Sequence, residues 1–290
     1  MNTLQFQAGL ERLAQPILPL IRLVQLLFLT GPFSTVREVV AELNEPIETS
    51  VRYQEPTKAL APYLDLMDEF AGLKDLAMAK YEIFDAAGIQ LPPLAALDLW
   101  VAQQVVEREL ESINSLLCGP CQCSLCCTGP SLEQHQVFFE IPLDSTEIGL
   151  FGLPEIDSPE TRVLTSESEP ALLIEGRAFY DQEPAIYRWR SGWSLILPRN
   201  GSCPHLQTSL ACAIYPKRPK VCRRPQIFAY VLDRIKGAAG NTTNGAIPAY
   251  QSHEKILAIW DCPYVNRFQH EIAAYAELCG LEPIFKENKQ

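Results

Sequence analysis

The sequence predicts an α+β protein in which a helical N-terminal region packs on a small, mixed, loop-rich core that binds metal through cysteines. Apolar residues recur every three or four positions through the first part of the chain, as in amphipathic helices. Short strand-like runs then follow, and eight of the ten cysteines fall into two groups. We therefore expect a helical region over 1–117, a cysteine-cluster metal-binding core over 118–230, and a loop with a C-terminal helical segment over 231–290.

Helices are expected through most of residues 1–117. A second amphipathic run, Val36–Leu43, follows Thr35, a residue type that caps helix N-termini well. Further apolar periodicity spans Pro56–Tyr81, including Leu76, and a last helix over Leu97–Leu117 leads to the cysteines. The first helix carries the periodic apolar positions Leu10, Leu13, Ile17, Leu20, Ile21, Val24, Leu27 and Phe28. Such a helical half is compatible with binding a protein partner.

The middle of the chain changes to strand-like patterns separated by turn residues. An acidic segment, Asp157–Glu169, is rich in Ser, Thr, Glu and Pro and is expected to be a surface loop. A glycine-rich loop is expected over 237–245, and 252–280 is expected to be helical with a break near Cys262. The expected strands are Val137–Pro142, Ala171–Ile174, Trp193–Leu197 and Ile227–Leu232.

Composition and charge exclude several classes of protein. The chain has a net charge of -11, which argues against nonspecific nucleic-acid binding, since that requires positive surface. The N-terminus has no basic segment before an apolar run, and Glu11 lies where a signal peptide would be apolar. The apolar segment Ile17–Leu29 contains Arg22 and is shorter than the ~20 residues that span a bilayer. We expect a cytoplasmic protein with no integral membrane segment.

Cysteines are the most informative residues of the chain. Thiolates bind soft metals, and in a reducing compartment such clusters are more often metal-binding or catalytic than disulfide-bonded. Only Gln122 separates two C-x2-C pairs, so a single ion is not expected to take both pairs without strain. A second supply of ligands is needed, and eight thiols suit either an iron–sulfur cluster or two metal sites. The candidate ligands are Cys118, Cys121, Cys123, Cys126, Cys127, Cys203, Cys212 and Cys222.

Other potential ligands have a plainer interpretation. Cys279 lies on an apolar helix pattern and is expected to be a small buried hydrophobe. For Cys262, which precedes a proline, the pattern leaves a ligand and a buried role open. His205 is two residues from Cys203, but a hydrogen-bonded or surface histidine is the commoner outcome.

Residues 118–230 resemble a known family. The YkgJ-type cysteine-cluster proteins, described as a zinc- or iron-chelating domain, usually show C-x2-C-x2-C-C, and position 120 here is proline. The resemblance implies metal binding, with Cys118 or Cys121 standing in for the first cysteine. The flagellin lysine N-methylase carries a similar cysteine set and uses S-adenosylmethionine, which by analogy implies methyl transfer. The matching segments are Cys123-x2-Cys126-Cys127, Ile141-Pro142-Leu143-Asp144 with Glu147-Ile148, Gly201-Ser202-Cys203-Pro204-His205-Leu206, Cys212-Ala213-Ile214-Tyr215-Pro216-Lys217-Arg218-Pro219 and Val221-Cys222-Arg223-Arg224-Pro225.

A basic segment surrounds Cys222 in this acidic protein. Its members are Lys217, Arg218, Lys220, Arg223 and Arg224. These cations would stabilise an anionic cluster, or could hold a carboxylate or phosphate; alternatively they form a solvated turn. We name Arg218, Arg223 and Arg224 as candidate cofactor-binding residues. Tyr215 is expected in the core or beside the metal ligands. The sequence contains no G-x-G-x-x-G pattern and no P-loop.

These observations lead to three hypotheses. The first is an iron–sulfur protein, with a 4Fe–4S cluster as the expected cofactor, no reaction or catalytic residue being identified. The second is a structural zinc module in an interaction or assembly factor, in which the helical half binds a protein partner. The third is an S-adenosylmethionine-dependent, lysine N-methylase-like enzyme. The preferred ligands are Cys123, Cys126, Cys127, Cys203, Cys212 and Cys222, with Cys118 or Cys121 completing the set.

Overall fold

The computed structural model describes residues 3–74, 81–224, 226–240 and 247–287. The chain divides into two compact units. The first comprises residues 1–116 and 226–287, and the second comprises residues 117–225. Residues 226–287 thus belong to the same unit as the N-terminal half, whereas the sequence analysis placed 231–290 in a region of its own. Helices and several small sheets together give the predicted α+β class.

The described helices concentrate in the first unit and are short, apart from α7. Their bounds are α1 Gln7–Ala14, α2 Leu18–Thr30, α3 Val36–Glu42, α4 Pro56–Leu60, α5 Leu64–Met67, α6 Ala71–Lys74, α7 Pro93–Cys121, α8 Lys220–Arg223, α9 Pro263–Arg267 and α10 Gln269–Leu278. The described strands are β1 Ile47–Glu48, β2 Arg52–Tyr53, β3 Glu82–Phe84, β4 Phe138–Leu143, β5 Glu155–Ile156, β6 Leu173–Ile174, β7 Arg177–Ala178, β8 Ala185–Trp189, β9 Gly192–Pro198, β10 Ile227–Gly240, β11 Ile247–Ile259 and β12 Glu282–Lys286.

The N-terminal helices follow the predicted pattern. The predicted cap at Thr35 is confirmed, since its side chain accepts from the backbone N–H of Glu38 while the Glu38 carboxylate accepts from the backbone N–H of Thr35. The prediction of helix alone over 1–117 is wrong, because β1, β2 and β3 interrupt it. Leu76, assigned to a helix from its spacing, lies outside the described residues.

The first unit contains a sheet built around β11. Strand β10 pairs antiparallel with β11. Strands β3 and β12 each pair parallel with β11. The predicted strand Ile227–Leu232 is confirmed as part of β10. The predicted helix over 252–261 is wrong, because this segment is strand until Ile259. Ile256 and Ala258 are buried alternately, with the period of a strand. The glycine-rich segment continues β10 to Gly240, and residues 241–246 lie outside the described residues.

Two buried polar side chains of α7 connect it to the rest of the first unit. The Glu109 carboxyl accepts from the backbone N–H of Ile17 at 3.1 Å and from the hydroxyl of Tyr275 at 2.7 Å. Five residues further on, Asn114 donates to the backbone carbonyl of Ile227 at 2.9 Å and accepts from the hydroxyl of Tyr264 at 2.6 Å. Both are almost fully buried, so these bonds satisfy groups that would otherwise be costly to desolvate.

One apolar stretch, Leu4–Thr30, passes a length and composition test for a membrane span. It comprises the short α1 and α2, and half of its most apolar window is buried inside the unit. The Arg22 guanidinium in its middle donates to the backbone carbonyl of Cys279 and pairs with Asp98. This is weak evidence for a membrane segment, because buried core helices pass the same test.

The second unit is organised by a four-stranded sheet in the order β4-β9-β8-β5. The predicted strands over Val137–Pro142 and Trp193–Leu197 are confirmed as β4 and β9, and the run from Ala171 is strand only at Leu173–Ile174. The sequence analysis missed β5 and β8. The acidic segment Asp157–Glu169 is not wholly at the surface, since Thr161 and Ser166 are buried.

Apolar clusters cover both faces of the β4-β9-β8-β5 sheet. One centres on aromatic side chains, with Tyr187 and Trp189 stacked 5.1 Å apart. The other contains Leu195 and Leu197, and the half-buried Cys203 packs against it. The sheet therefore supplies a hydrophobic core against which Cys203, the first of the later cysteine group, packs.

Candidate metal centre

The first two cysteines lie on the last turn of α7. Cys118 and Cys121 are three residues apart, so they share one helix face. Pro120 lies inside the last turn, where it has no backbone N–H to donate to the preceding turn, and the helix ends at Cys121. Gln122 then adopts a left-handed conformation with φ 53°, a common way to terminate a helix. The chain reverses there and brings Cys123 back beside the helix end.

Backbone pairing places Cys127 beside Cys203. The N–H of Cys203 donates to the carbonyl of Cys127 at 2.7 Å, and the N–H of Gly129 donates to the carbonyl of Gly201 at 2.7 Å. A Cβ on Gly129 would lie 1.8 Å from the carbonyl oxygen of Pro198, so only glycine permits this approach. Cysteines 76 residues apart in sequence are thus held adjacent by backbone hydrogen bonds.

The last two cysteines are placed by short local elements. Cys212 forms a bridge with Leu206, and Cys222 lies on α8. The Glu147 carboxylate holds the start of α8, because it accepts from the backbone N–H of Lys220 at 2.7 Å as well as from that of Asp144 at 2.9 Å. The sequence analysis quoted Glu147 only within the family resemblance and gave it no role.

Two pairs of thiols are in direct contact. The thiols of Cys121 and Cys123 hydrogen-bond to each other, which raises the pKa of Cys121. The thiols of Cys126 and Cys127 do the same, which raises the pKa of Cys127. None of the ten cysteines, all of which lie within the described residues, forms a disulfide. The donor set is therefore composed of thiols.

Electrostatic contacts connect the early and late cysteine groups. Burial, together with the neighbouring Cys126, raises the pKa of Cys118 to about 11. Burial, together with the neighbouring Cys126, Cys203 and Cys212, raises the pKa of Cys222 to about 12. Cys126 therefore lies within electrostatic range of both Cys118 and Cys222. The segments 118–127 and 203–222 meet in one region of the second unit.

The thiols are close but not gathered around a point. Within the described ranges, no three or more His, Cys, Asp or Glu side chains are arranged to hold a metal ion as they stand. Seven of the eight thiols of the second unit are partly exposed, and Cys121 is buried. The structure thus brings together the residues named from the sequence but does not itself define a metal geometry.

Arg218 faces the end of α7. It is only 6% exposed, and its Nη1 donates to the sulfur of Cys118 at 3.9 Å. Its guanidinium carbon lies 3.7 Å from the centroid of the Tyr215 ring, a cation–π arrangement. The Tyr215 hydroxyl also hydrogen-bonds to Cys118 and lowers the pKa of that thiol, as Arg218 does. Tyr215 accordingly lies beside a candidate ligand.

The other basic residues have different surroundings. Arg223 donates to the backbone carbonyl of Arg218 at 2.9 Å, and Arg224 is partly buried. Lys217 and Lys220 have exposed side chains. The five cations are therefore not equivalent: Arg218 is nearly buried and donates to a cysteine sulfur, whereas Lys217 and Lys220 are exposed.

Comparison of the chain with protein-family models, with curated proteins and with solved structures found no significant match. The family resemblance of residues 118–230 stays a prediction. Of the remaining candidates, His205 bonds through Nε2 to the carbonyl of Leu150 at 2.7 Å. Cys262 and Cys279 are buried in the first unit, in keeping with the small-hydrophobe interpretation of Cys279.

Proposed function

We propose that this protein binds an iron–sulfur cluster through the thiolates of its second unit. The cluster would be of the 4Fe–4S type, which takes four thiolate ligands. When bound, such a cluster supplies one-electron transfer. The residues that would hold it come from the set Cys118, Cys121, Cys123, Cys126, Cys127, Cys203, Cys212 and Cys222.

The observation that carries the proposal is that two distant cysteine segments meet in one unit with none of these cysteines in a disulfide. Thiols in a folded core normally behave as scattered small hydrophobes. In this protein, eight of them share one unit, in which Cys126 influences thiols of both segments. Five nearby cations would offset the negative charge that several thiolates acquire on binding metal.

The donor set fits a soft metal by its chemistry. Since no three thiols converge among the described residues, binding requires the sulfurs to move toward the metal. The bonded neighbours Cys127 and Cys203 are fixed by the backbone, whereas the turns that carry Cys123 and Cys212 are partly exposed. We therefore expect metal binding to order the cysteine loops rather than to fold the unit.

The direct test is the iron, acid-labile sulfide and zinc content of protein purified without oxygen, together with its visible absorption spectrum. Iron and sulfide in near-equal amounts in a brown protein would support the cluster. Colourless protein with stoichiometric zinc would replace it with the zinc hypothesis. Protein that binds neither metal, even after reconstitution with ferrous iron and sulfide, would refute the proposal.

Cys126→Ser tests the ligand assignment. Because Cys126 lies in range of both cysteine segments, we expect this variant to lose most of its metal and to unfold at a lower temperature. Cys279→Ala is the matched control, since it removes a thiol that is buried in the first unit. Equal metal content in the two variants would contradict the assignment.

Zinc is the alternative metal. Zinc thiolate sites stabilise small folds without redox chemistry, and a zinc ion would join 118–127 to 203–222 while the helical half binds a protein partner. This hypothesis predicts full stability with zinc alone and no response to reductant.

Methyl transfer from S-adenosylmethionine is the third hypothesis, and it depends on the basic segment. Arg218 is nearly buried against Cys118, so we assign it to the centre and leave Arg223 and Arg224 as the residues for such a ligand. Calorimetric titration with S-adenosylmethionine tests this hypothesis. Binding that Arg223→Met and Arg224→Met abolish would support it.

A further inference from the structure

We propose that Glu109 is a proton-sensitive latch for the junction between α1 and α2, residues 15–17. When its carboxyl is protonated, Glu109 holds the backbone of Ile17 against α7 and α10. When the carboxyl ionises, the junction opens locally and water reaches the carboxylate. This switch belongs to the first unit and does not depend on the metal centre proposed for the second unit.

The junction is held by side chains that other elements contribute. Residues 15–17 lie between the end of α1 and the start of α2. Pro16 has no backbone N–H, and its carbonyl accepts from the hydroxyl of Tyr53 at 2.5 Å. The backbone N–H of Ile17 donates to both carboxyl oxygens of Glu109, at 3.1 and 3.2 Å. A segment held in this way can open while the helices on either side stay folded.

Glu109 has neutral hydrogen-bond donors in a dry environment. It is 1% exposed, and besides the Ile17 N–H its carboxyl accepts from the hydroxyl of Tyr275 at 2.7 Å. Burying a carboxylate among neutral donors is costly, so burial favours the protonated form. Burial accordingly raises the pKa of Glu109 from 4.5 to about 7, although these hydrogen bonds and the positive charge of Arg12 act in the opposite direction.

The other groups that face Glu109 keep their charge between pH 5 and pH 8. Burial raises the pKa values of three tyrosine hydroxyls and one thiol, which stay neutral over this range. The guanidinium stays positive below about pH 12. Among these groups, Glu109 is therefore the one that changes charge. The groups are Arg12 on α1, Tyr53 on β2, Tyr63 in the turn after α4, Tyr275 on α10 and Cys279 at the end of α10.

The junction is the element around Glu109 that can move at the lowest cost. Glu109 and Tyr275 lie inside the continuous helices α7 and α10, so moving either of them would disrupt several helical hydrogen bonds. Opening the junction instead breaks the bonds that Glu109 and Tyr53 make with it. It would also admit water to the carboxylate. Ionisation of Glu109 is thus expected to act first on residues 15–17.

Hydrogen–deuterium exchange of the full chain, followed by mass spectrometry at pH 5 and pH 8, measures this opening. Exchange rates are corrected for the intrinsic rate at each pH. Peptides that cover 15–21 should lose protection about 70-fold as the pH rises, because the carboxyl pKa falls from about 7 in the closed state to 4.5 in the open state.

Two glutamate variants assign the effect. In Glu109→Gln, the protection of 15–21 should not change with pH, because the amide stays neutral and can still accept from the N–H of Ile17. Glu11→Gln is the matched control, since it removes an exposed carboxylate of α1 and should behave as the wild type. Equal wild-type protection at pH 5 and pH 8, or a pH dependence that survives in Glu109→Gln, would overturn the proposal.

Low concentrations of urea separate local opening from unfolding of the whole unit. Exchange through a local opening changes little with urea, because little surface is exposed, whereas exchange through global unfolding rises steeply. Peptides that cover 255–259 of β11 are the reference for global unfolding, since this segment is paired with β10 and β12. A shallow urea dependence at 15–21 would support the latch. The same steep dependence in both peptides would overturn it.

Two tyrosine variants keep the result interpretable if Glu109→Gln folds poorly. Tyr275→Phe removes a hydrogen bond that favours the carboxylate, so it should enlarge the ratio of protection between pH 5 and pH 8. Tyr53→Phe removes the bond to Pro16, so it should lower the protection of the junction at both pH values and leave their ratio unchanged. A ratio that Tyr275→Phe leaves as in the wild type would contradict the role of Glu109.

Discussion

Glu109 is expected to make the first unit less stable as the pH rises from 4.5 to 7. The side chain is buried, and it is bonded to the backbone N–H of Ile17 and the hydroxyl of Tyr275. Burial raises the pKa of Glu109 from 4.5 to about 7, since desolvation outweighs the hydrogen bonds that favour the carboxylate. The folded state therefore holds a proton that the unfolded state has released over this range.

The sign and size of the effect follow from that proton. The contribution of Glu109 to the free energy of unfolding is greatest below pH 4.5. It decreases as the pH rises to the folded-state pKa of about 7, and it is constant above that pH. Each pKa unit corresponds to 1.36 kcal/mol, so the change from 4.5 to about 7 amounts to about 3 kcal/mol. Glu109→Gln keeps the shape and stays neutral, and should remove this loss.

Urea unfolding of wild type and Glu109→Gln, followed by circular dichroism at several pH values, measures the difference. We expect the variant to gain about 3 kcal/mol relative to wild type between pH 4.5 and 8. The neighbouring Tyr275 and Cys279 stay neutral over this range, because burial raises their pKa values. A stability difference that does not change with pH would refute the assignment of the proton to Glu109.

Two further variants test the packing of each unit. Gly129→Ala places a Cβ 1.8 Å from the carbonyl oxygen of Pro198, so it should destabilise the second unit by about 3 kcal/mol and lower its metal content. Gly149→Ala is the control: its Cβ meets nothing within 4 Å, so stability and metal content should not change. Asn114→Ala removes the hydrogen bonds that Asn114 makes with the hydroxyl of Tyr264 and with the backbone of Ile227. Urea unfolding should show that the free energy of unfolding falls by about 2–3 kcal/mol. Ser112→Ala, at an exposed position of the same helix, is the control and should change this free energy little.

The sequence predicted the elements whose signal is local. Strands β4 and β9 carry contiguous apolar residues between turn residues, and the cap at Thr35 depends on a residue three positions away. Strand β11 was misread as helix because its β-structure depends on pairing with β10, β3 and β12, and β3 ends 163 positions before Ile247. Tertiary pairing overrides local preference in such segments.

The candidate site was only partly predictable, because its long-range contacts leave no pattern in the local sequence. Cysteine spacing identified the eight thiols of the second unit directly. The contact between Cys118 and Arg218 spans 100 positions, and the bond from Glu147 to the start of α8 spans 73, so neither leaves a local trace. The special requirement for glycine at 129 depends on the backbone of Pro198, which sequence spacing alone could not identify.

The backbone hydrogen bond between Cys203 and Cys127 depends on the sheet that lies between these two cysteines in the sequence. Closing a loop of about 76 residues costs roughly 4 kcal/mol in chain entropy, and the sheet of β4 and β9, which lies within that loop, already holds it closed. The two cysteine segments therefore meet through the pairing of strands that neither segment contains. A variant that separates β4 from β9 would return the closure entropy of this loop to the cost of bringing Cys127 and Cys203 together.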